Sequence, residues 1–536
     1  MIPLEWMPLL MFGGLVVFML IGFPVSFSLA AVGLFFGFIS INHGFFTFDF
    51  MQAIPGRIFG SILSNDLLLA IPFFTFMGAI LEKCGLAEDM LDSMGQLFGP
   101  VRGGLGYSVI IVGFILGAIT GTVAAQVIAM AMITMPIMIR YKYDMRYATG
   151  VLAASGTITQ LVPPSLVLVV LADQLGRSVG DMYLGAWGPS LVQIALFSGY
   201  TFYLSIMHPE KVPPVPRTLH GRALIIKCMW GIIPAAVLIF LVLGTIMMGL
   251  ATPTEAGAMG AIGAIVLAVV RNTELSLRDT AIFVAGLAGA LVGGVLSALD
   301  IKSILFRLAF SVTFGATWWL CWLAWRHKEQ RDLIKQAFET TMRITSMVAF
   351  IVVGATCFSI TFAGVDGNRW VEHMLTGLPG GVWGFLIVVN LFVFFLAFFL
   401  DFFEIAFIIV PMLAPVAQKI LTPVVGADAA LIWFGVILCV NMQTSFMHPP
   451  FGFALFYLRS VTPKEIPSSD IYWGAIPWVL LQLVMVLLVI FFPIMVTGLL
   501  DAPSTVDPNK IKIEIQAPEQ IDEVPPPVIM PGPRSN

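Results

Sequence analysis

Charge is what this sequence has least of. Only 11% of its 536 residues are Asp, Glu, Lys or Arg, where a soluble domain carries about 25%. The shortfall excludes a water-facing enzyme, a disordered chain and a nucleic-acid binder. A formal net charge of −4 supplies no basic field that could hold a phosphate backbone. Cysteine is scarce as well. Cys84, Cys228, Cys321, Cys357 and Cys439 stand singly, without a CxxC or Cys/His pairing, so disulfide scaffolds and zinc sites have no support. No Lys or Arg precedes Arg57; the start lacks the basic stretch of a cleavable signal peptide and reads as a retained first span. No Walker A phosphate loop occurs, so nothing points to ATP hydrolysis. No cofactor and no enzymatic activity are expected. With 59% of its residues hydrophobic, the chain reads as an all-α polytopic membrane protein whose solvent is the lipid bilayer.

Apolar runs of about 20 residues, enough to cross a bilayer, recur near 5–21, 24–41, 66–82, 105–119, 147–172, 184–207, 228–250, 254–270, 280–299, 303–325, 344–364, 382–400, 429–458 and 472–497. Two more, 122–139 and 402–418, follow their neighbours too closely to be separate crossings. Cytoplasmic loops are rich in Lys and Arg, and the basic loops are Arg140/Lys142/Arg146, Lys211/Arg217/Arg222/Lys227, Arg271/Arg278 and Arg326/Lys328/Arg331/Lys335. These votes agree only if 122–139 and 402–418 each leave the membrane by the side they entered. Two re-entrant hairpins are therefore predicted, the first opening to the basic side and the second to the opposite side. Both termini then fall outside the cytoplasm. Residues 501–536 carry eight prolines and many charges, a composition that suits a solvated extension.

The chain also repeats itself. AITGTVAAQVIAMAMITMPIM (118–138) and FLDFFEIAFIIVPML (399–413) are Pro-containing apolar segments; ASGTITQLVPPS (154–165) and VNMQTSFMHPPF (440–451) follow, each with a double proline. DMYLGA (181–186) and DIYWGA (470–475) come next, and upstream EDML (88–91) echoes EHML (372–375). Since the two copies start from opposite sides, they form an inverted-topology repeat. In transporters such repeats place a binding site near the midplane between broken helices.

Proline removes a backbone donor and frees carbonyls upstream. At Pro163-Pro164 the residues so placed are Ser155, Gly156, Thr157 and Thr159. At Pro449-Pro450 they are Asn441, Gln443, Thr444 and Ser445. Hydroxyl and amide oxygens beside unwound carbonyls suit a small hard cation such as sodium; the alternative is a kink whose hydroxyls bond back to their own helix. Thr120-Gly121-Thr122 falls at the expected tip of the first hairpin. The second offers Asp401 and, three residues on, Glu404, costly in hydrocarbon unless they face a cavity or a partner. Either carboxylate could coordinate an ion or cap a helix N-terminus. His448 precedes the second double proline and is read as a packing residue or a ligand for a carboxylate. Arg459 and Lys464 read as topology anchors.

GLATPTEAGAMGA (249–261), AASGTITQLVPPS (153–165), FFLDFFEIAFIIVPMLAP (398–415) and GFPVSFSLAAVG (22–33) resemble the large membrane (DctM-like) subunit of tripartite ATP-independent periplasmic (TRAP) transporters, over residues 1–280 and 332–500. The resemblance implies a permease in the bacterial inner membrane that imports a small organic acid with a sodium gradient by an elevator motion. A stand-alone sodium/carboxylate symporter and a non-transporting structural subunit are the alternatives. The resemblance further implies a small four-span membrane subunit and a periplasmic substrate-binding protein as partners, and sodium as coupling ion. Thr120-Gly121-Thr122, Ser155-Gly156-Thr157, Pro163-Pro164, Asp401, Asn441, Thr444, Pro449 and Pro450 match its signature positions; the hairpin tip departs from the usual Ser-Gly-Ser-like run. The implied organisation is scaffold spans (1–82), a first repeat core (83–208) with hairpin 105–139 and broken helix 147–172, and connecting spans with the ATPTEA phrase (209–280). An inserted pair of spans (281–331) departs from the family pattern. A scaffold span (332–380), a second core (381–500) with hairpin 382–418 and broken helix 429–460, and the Pro-rich tail (501–536) complete it.

Overall fold

The computed structural model describes residues 3–120, 122–298, 304–398, 400–448 and 452–500; Gly121, the side chain of Thr120, Pro449, Pro450 and the 501–536 tail lie outside the described residues. Every regular element among the described residues is a helix. That follows from the composition, because in lipid a helix satisfies its backbone within its own segment. Among the described residues, twelve helices are long and apolar enough to cross a membrane.

The chain opens with α1 (Met7–Ile21) and α2 (Val25–Asn42). A first series follows: α3 (Asp66–Lys83) and the amphipathic α4 (Leu86–Phe98), bent 58° from one another. After them come α5 (Gly104–Thr120), α6 (Val123–Arg140), α7 (Met145–Thr157), α8 (Leu166–Leu175) and α9 (Val179–Met207). Between the series lie α10 (Gly221–Met247) and α11 (Pro253–Asn272). Two helices, α12 (Leu277–Ala298) and α13 (Ile304–Arg326), follow and pack on each other. The second series is α14 (Lys328–Gly364), the amphipathic α15 (Gly367–Thr376), α16 (Gly381–Leu396), α17 (Phe402–Val425), α18 (Ala427–Met442), α19 (Phe453–Val461) and α20 (Ser468–Phe491). The order is the same in both: long helix, short amphipathic helix, hairpin, broken helix, long helix. EDML and EHML fall in α4 and α15, and the DMYLGA and DIYWGA phrases begin α9 and α20.

Local chemistry sets the ends. Asp144, Ser165 and Ser178 cap α7, α8 and α9 by accepting from Tyr147, Val167 and Asp181 backbone N–H groups. The ATPTEA phrase starts α11 with a capping box, Thr252 and Glu255 each accepting from the other's backbone. Such reciprocal caps satisfy two orphan donors at once.

Two hydrogen bonds fix the geometry of the first hairpin. Gly103 N donates to the Val212 carbonyl and Asp144 N to the Lys211 carbonyl, both at 2.9 Å. The feet of α5 and α6 therefore stand together, beside the Lys211 strap. In the second hairpin Lys419 of α17 bonds Glu372 of α15 at 2.7 Å, and α16 begins a few residues beyond α15, so those feet also stand together. Two ion pairs orient the broken helices. Arg146 at the head of α7 meets Asp470 at the head of α20 (3.0 Å), and Arg177, just after α8, meets Asp428 at the head of α18 (3.8 Å). The α7–α8 line thus runs from the Asp470 end to the Asp428 end, and α18–α19 runs the other way. The repeat is inverted, with its hairpins opening at opposite ends.

Close packing between halves uses glycine at a few points. A Cβ on Gly474 of α20 would sit 2.2 Å from the Arg146 carbonyl oxygen, and one on Gly150 of α7 2.2 Å from the Gly474 oxygen. Within the first half, Gly113 and Gly117 of α5 let Ser155 and Thr159 approach to about van der Waals contact.

A candidate solute cavity and polar seams at the helix breaks

A cavity of about 250 Å³ lies where the hairpins and breaks meet. Thr122 at the first tip, Asp401 at the second, Gln160 in the first break and Phe446 in the second all line it. Because the hairpins come from opposite ends and their tips reach one cavity, neither runs the full depth of the bundle. Four helix N-termini converge here, those of α6 (Thr122, Val123, Ala124), α8 (Leu166, Val167), α17 (Asp401, Phe402, Phe403) and α19 (Phe453). Each presents N–H groups and the positive end of a dipole. Ser165 and Asp401 cap α8 and α17, whereas the ends of α6 and α19 have no side-chain cap. Ile344 and Met347 of α14 and Tyr457 of α19 complete the wall. Among the described lining residues there is no Lys, Arg or His.

Asp401 and Glu404 form a capping box: Glu404 N donates to Asp401 Oδ1 (2.9 Å) and Asp401 N to Glu404 Oε2 (3.0 Å). Of the two roles open to these carboxylates in the sequence, the cap is formed, and Asp401 also faces the cavity. Glu404 is buried behind it. The turn after this cap widens into a π-type stretch, Ile405–Ile409.

Of the other sequence-predicted site residues, Ser155, Gly156, Thr157, Pro163, Pro164, Asn441, Gln443 and Thr444 do not line this cavity; they are buried in seams at the breaks. Ser155 is fully buried, and its Oγ has no hydrogen-bond partner. Gly156 accommodates α6, since a Cβ there would lie 2.2 Å from Val127 Cγ2. Thr157 Oγ1 donates to the Ala154 carbonyl (2.8 Å) and accepts from Gln482 Nε2 of α20 (2.8 Å), so its oxygen is largely committed. Thr159 Oγ1 has one proton to donate and lies within reach of both Gln126 Oε1 and the Gly156 carbonyl. In the second seam Thr444 and Ser445 bond back to the Asn441 and Met442 carbonyls (2.7 and 2.6 Å). Asn441 Nδ2 donates to the Asn390 carbonyl of α16 (2.7 Å), while Asn441 Oδ1 and both amide atoms of Gln443 are buried without partners. Several hydroxyls thus make the back-bonds of an ordinary kink. Ser155, Asn441 and Gln443 keep polar atoms unspent. The seams adjoin, because α7 touches 443–446 and Cys439 Sγ approaches the Gln160 carbonyl at 3.2 Å. Pro163-Pro164 is a cis bond in the first break. His448 is wedged between the Phe394 and Phe398 rings, 4.4 and 4.3 Å between centroids, with neither ring nitrogen partnered.

Sequence reasoning missed four amides. Gln126 of α6 ties the hairpin together, donating to the Gly113 carbonyl of α5 (2.7 Å) and the Ser155 carbonyl of α7 (3.1 Å). Gln160 lines the cavity, 2% exposed, with both amide atoms unpartnered. Asn390 anchors Asn441, and Gln482 anchors Thr157. The available signal was an isolated amide inside an apolar run, which in lipid must find a partner. Among the described residues no three His, Cys, Asp or Glu side chains come together, so a cation here would be held by hydroxyl, amide and carbonyl oxygens.

Inverted repeats, paired hairpins and a shared cavity at their tips define a multi-pass membrane transport protein. Residues 12–495 match the family described as the tripartite ATP-independent periplasmic transporter, DctM component. The chain belongs to this family of TRAP large permease subunits, which are membrane transport components and not enzymes. It is 26% identical to the C4-dicarboxylate large permease protein DctM of Pseudomonas aeruginosa, over 84% of this chain and 89% of that one. It is 25% identical to the DctM protein of Rhodobacter capsulatus, over 90% and 97%. It is also 25% identical to the sialic acid large permease protein SiaM of Vibrio cholerae, over 88% and 93%. Among solved structures, the YdaH transporter of Alcanivorax borkumensis is similar over 83% of this chain and 88% of that one at a TM-score of 0.40 and 15% identity, too distant for inference.

Proposed function

We propose that this chain is the permease subunit of a sodium-coupled importer of a small organic acid, seated in the inner membrane with both termini on the periplasmic side. A periplasmic binding protein delivers the acid and a small membrane subunit completes the tripartite assembly. The observation that carries the proposal is the cavity at the hairpin tips. Four helix N-termini and one unpartnered amide, Gln160, face a space that two mirror-related halves share. Oriented N–H groups and helix dipoles suit an anion, and midplane sites between broken helices suit alternating access.

Sodium is assigned to the seams. Ser155 Oγ, Asn441 Oδ1 and Gln443 offer oxygens that the fold leaves unspent, with Thr157, Thr444 and the carbonyls at the breaks as further donors, and Asp401 supplies the nearest lining carboxylate. The hairpins and broken helices would slide as one body against α1–α4, α10, α11, α14 and α15. Uptake in proteoliposomes carrying the chain, its small subunit and the binding protein tests the proposal. Accumulation should need both an inward sodium gradient and the binding protein. Uptake that proceeds at the same rate without sodium would overturn the coupling, and uptake without the binding protein would favour a stand-alone symporter.

A further inference from the structure

A second cavity, of about 350 Å³, lies between α1 and the tip of the second hairpin. Asp401 and Phe453 line it as well as the first cavity, so the two are neighbouring compartments. Its walls are mainly apolar, built from Leu15, Val16 and Met19 of α1 against Phe398 and Leu400, with Ser445 and Asp401 as the polar residues. Among the described residues lining it there is again no Lys, Arg or His.

The first cavity offers an anionic head one built place. The α6 and α19 N-termini carry no side-chain cap and point their dipoles at the cavity, and the buried Gln160 amide beside them has no partner. Among the described residues the rest of the lining is apolar, with Phe402, Phe403, Phe446 and Phe453 foremost, apart from Thr122, Tyr457 and the carboxylate of Asp401, so a second carboxylate would meet no cation there. A second charge is unfavourable in such a setting, because a charge buried without an ionic partner is costly and Asp401 repels it. We infer that the solute is a monocarboxylate with an apolar or aromatic body: its head is held by the α6 and α19 N-termini and Gln160, and its body lies along the phenylalanine wall toward the α1 compartment. The inference rests on the solute-site assignment above and narrows it.

The test uses the purified intact chain in sodium-containing detergent, titrated with phenylacetate, hexanoate, succinate and hexanol while the thermal unfolding midpoint is followed. Phenylacetate and hexanoate should half-saturate the shift at concentrations at least about tenfold below succinate, a difference of about 1.4 kcal/mol. Hexanol, which has the tail without the charge, should give no saturable shift. Val16→Trp, which fills the α1 compartment from a partly exposed position, should raise the half-saturating concentration of hexanoate about fivefold or more relative to that of acetate. Succinate binding as tightly as hexanoate, hexanol matching hexanoate, or Val16→Trp moving hexanoate and acetate alike would each overturn the inference while leaving an organic-acid site intact. If no carboxylate shifts the midpoint, the solute-site assignment falls with it.

Discussion

Asp401→Asn separates the two roles that Asp401 can play. Its Oδ1 accepts from Glu404 N at 2.9 Å, and an Asn oxygen can accept the same bond; Asn and Asp are about equal as N-caps. The substitution keeps the cap and removes the charge. At an effective dielectric of about 20, a unit charge about 4 Å from a cation contributes about 4 kcal/mol. The Asn dipole retains part of that, and a loss of about 1.4–2.8 kcal/mol corresponds to about 10- to 100-fold in sodium affinity. Asp401→Ala should lose the same charge and also about 1 kcal/mol of cap energy, lowering the unfolding midpoint where Asp401→Asn does not. The assay is proteoliposome uptake against sodium concentration, with the unfolding midpoint of each variant measured in parallel. A wild-type sodium curve for Asp401→Asn would refute the charge role and leave Asp401 as a cap alone.

Ser155→Ala removes a fully buried hydroxyl that has no protein partner, so the fold should be unharmed or slightly stabilised while the sodium requirement rises; a thermal midpoint that falls by several degrees would show that the hydroxyl is structural. Gln126→Leu deletes the bond to Gly113 that ties the first hairpin together and the bonds to Ser155 and Thr159 that join it to the first break. Membrane hydrogen bonds average about 0.6 kcal/mol each, so a loss of about 2 kcal/mol is expected, read as a lower chemical-denaturation midpoint. Gly474→Ala drives a methyl to 2.2 Å from the Arg146 carbonyl, and overpacking of that kind costs about 1–3 kcal/mol. Normal stability in that variant would contradict the close approach of α7 and α20.

The inverted repeat, the breaks and the hairpins were legible because each leaves a local mark: double prolines, echoed phrases and a charge count that balances only if two apolar runs turn back. The partners of buried amides were not legible. Gln482 lies 325 residues from Thr157, and no local pattern announces that pairing, which is why Thr157 reads from sequence as a free cage oxygen. The length of α14 was half legible. Hydropathy marks 344–364, but the helix begins at Lys328 and runs 37 residues, about 55 Å at 1.5 Å per residue, because a mixed-charge stretch such as KEQRDLIKQAFET forms helix as readily as an apolar one. The cavity between the hairpin tips follows from topology, whereas its aromatic wall is assembled from residues on three separate helices and is visible only once they are packed.

The two ion pairs at the ends of the broken helices bear on how the molecule is made. Arg146 emerges from the ribosome more than three hundred residues before its partner Asp470, and Arg177 about two hundred and fifty before Asp428. Gly150, on the same early helix, is shaped to receive a strand of backbone that does not yet exist. The first half must therefore wait in the bilayer as an unfinished piece, and the locking of one half onto the other is a late event of biogenesis that truncated chains cannot reach.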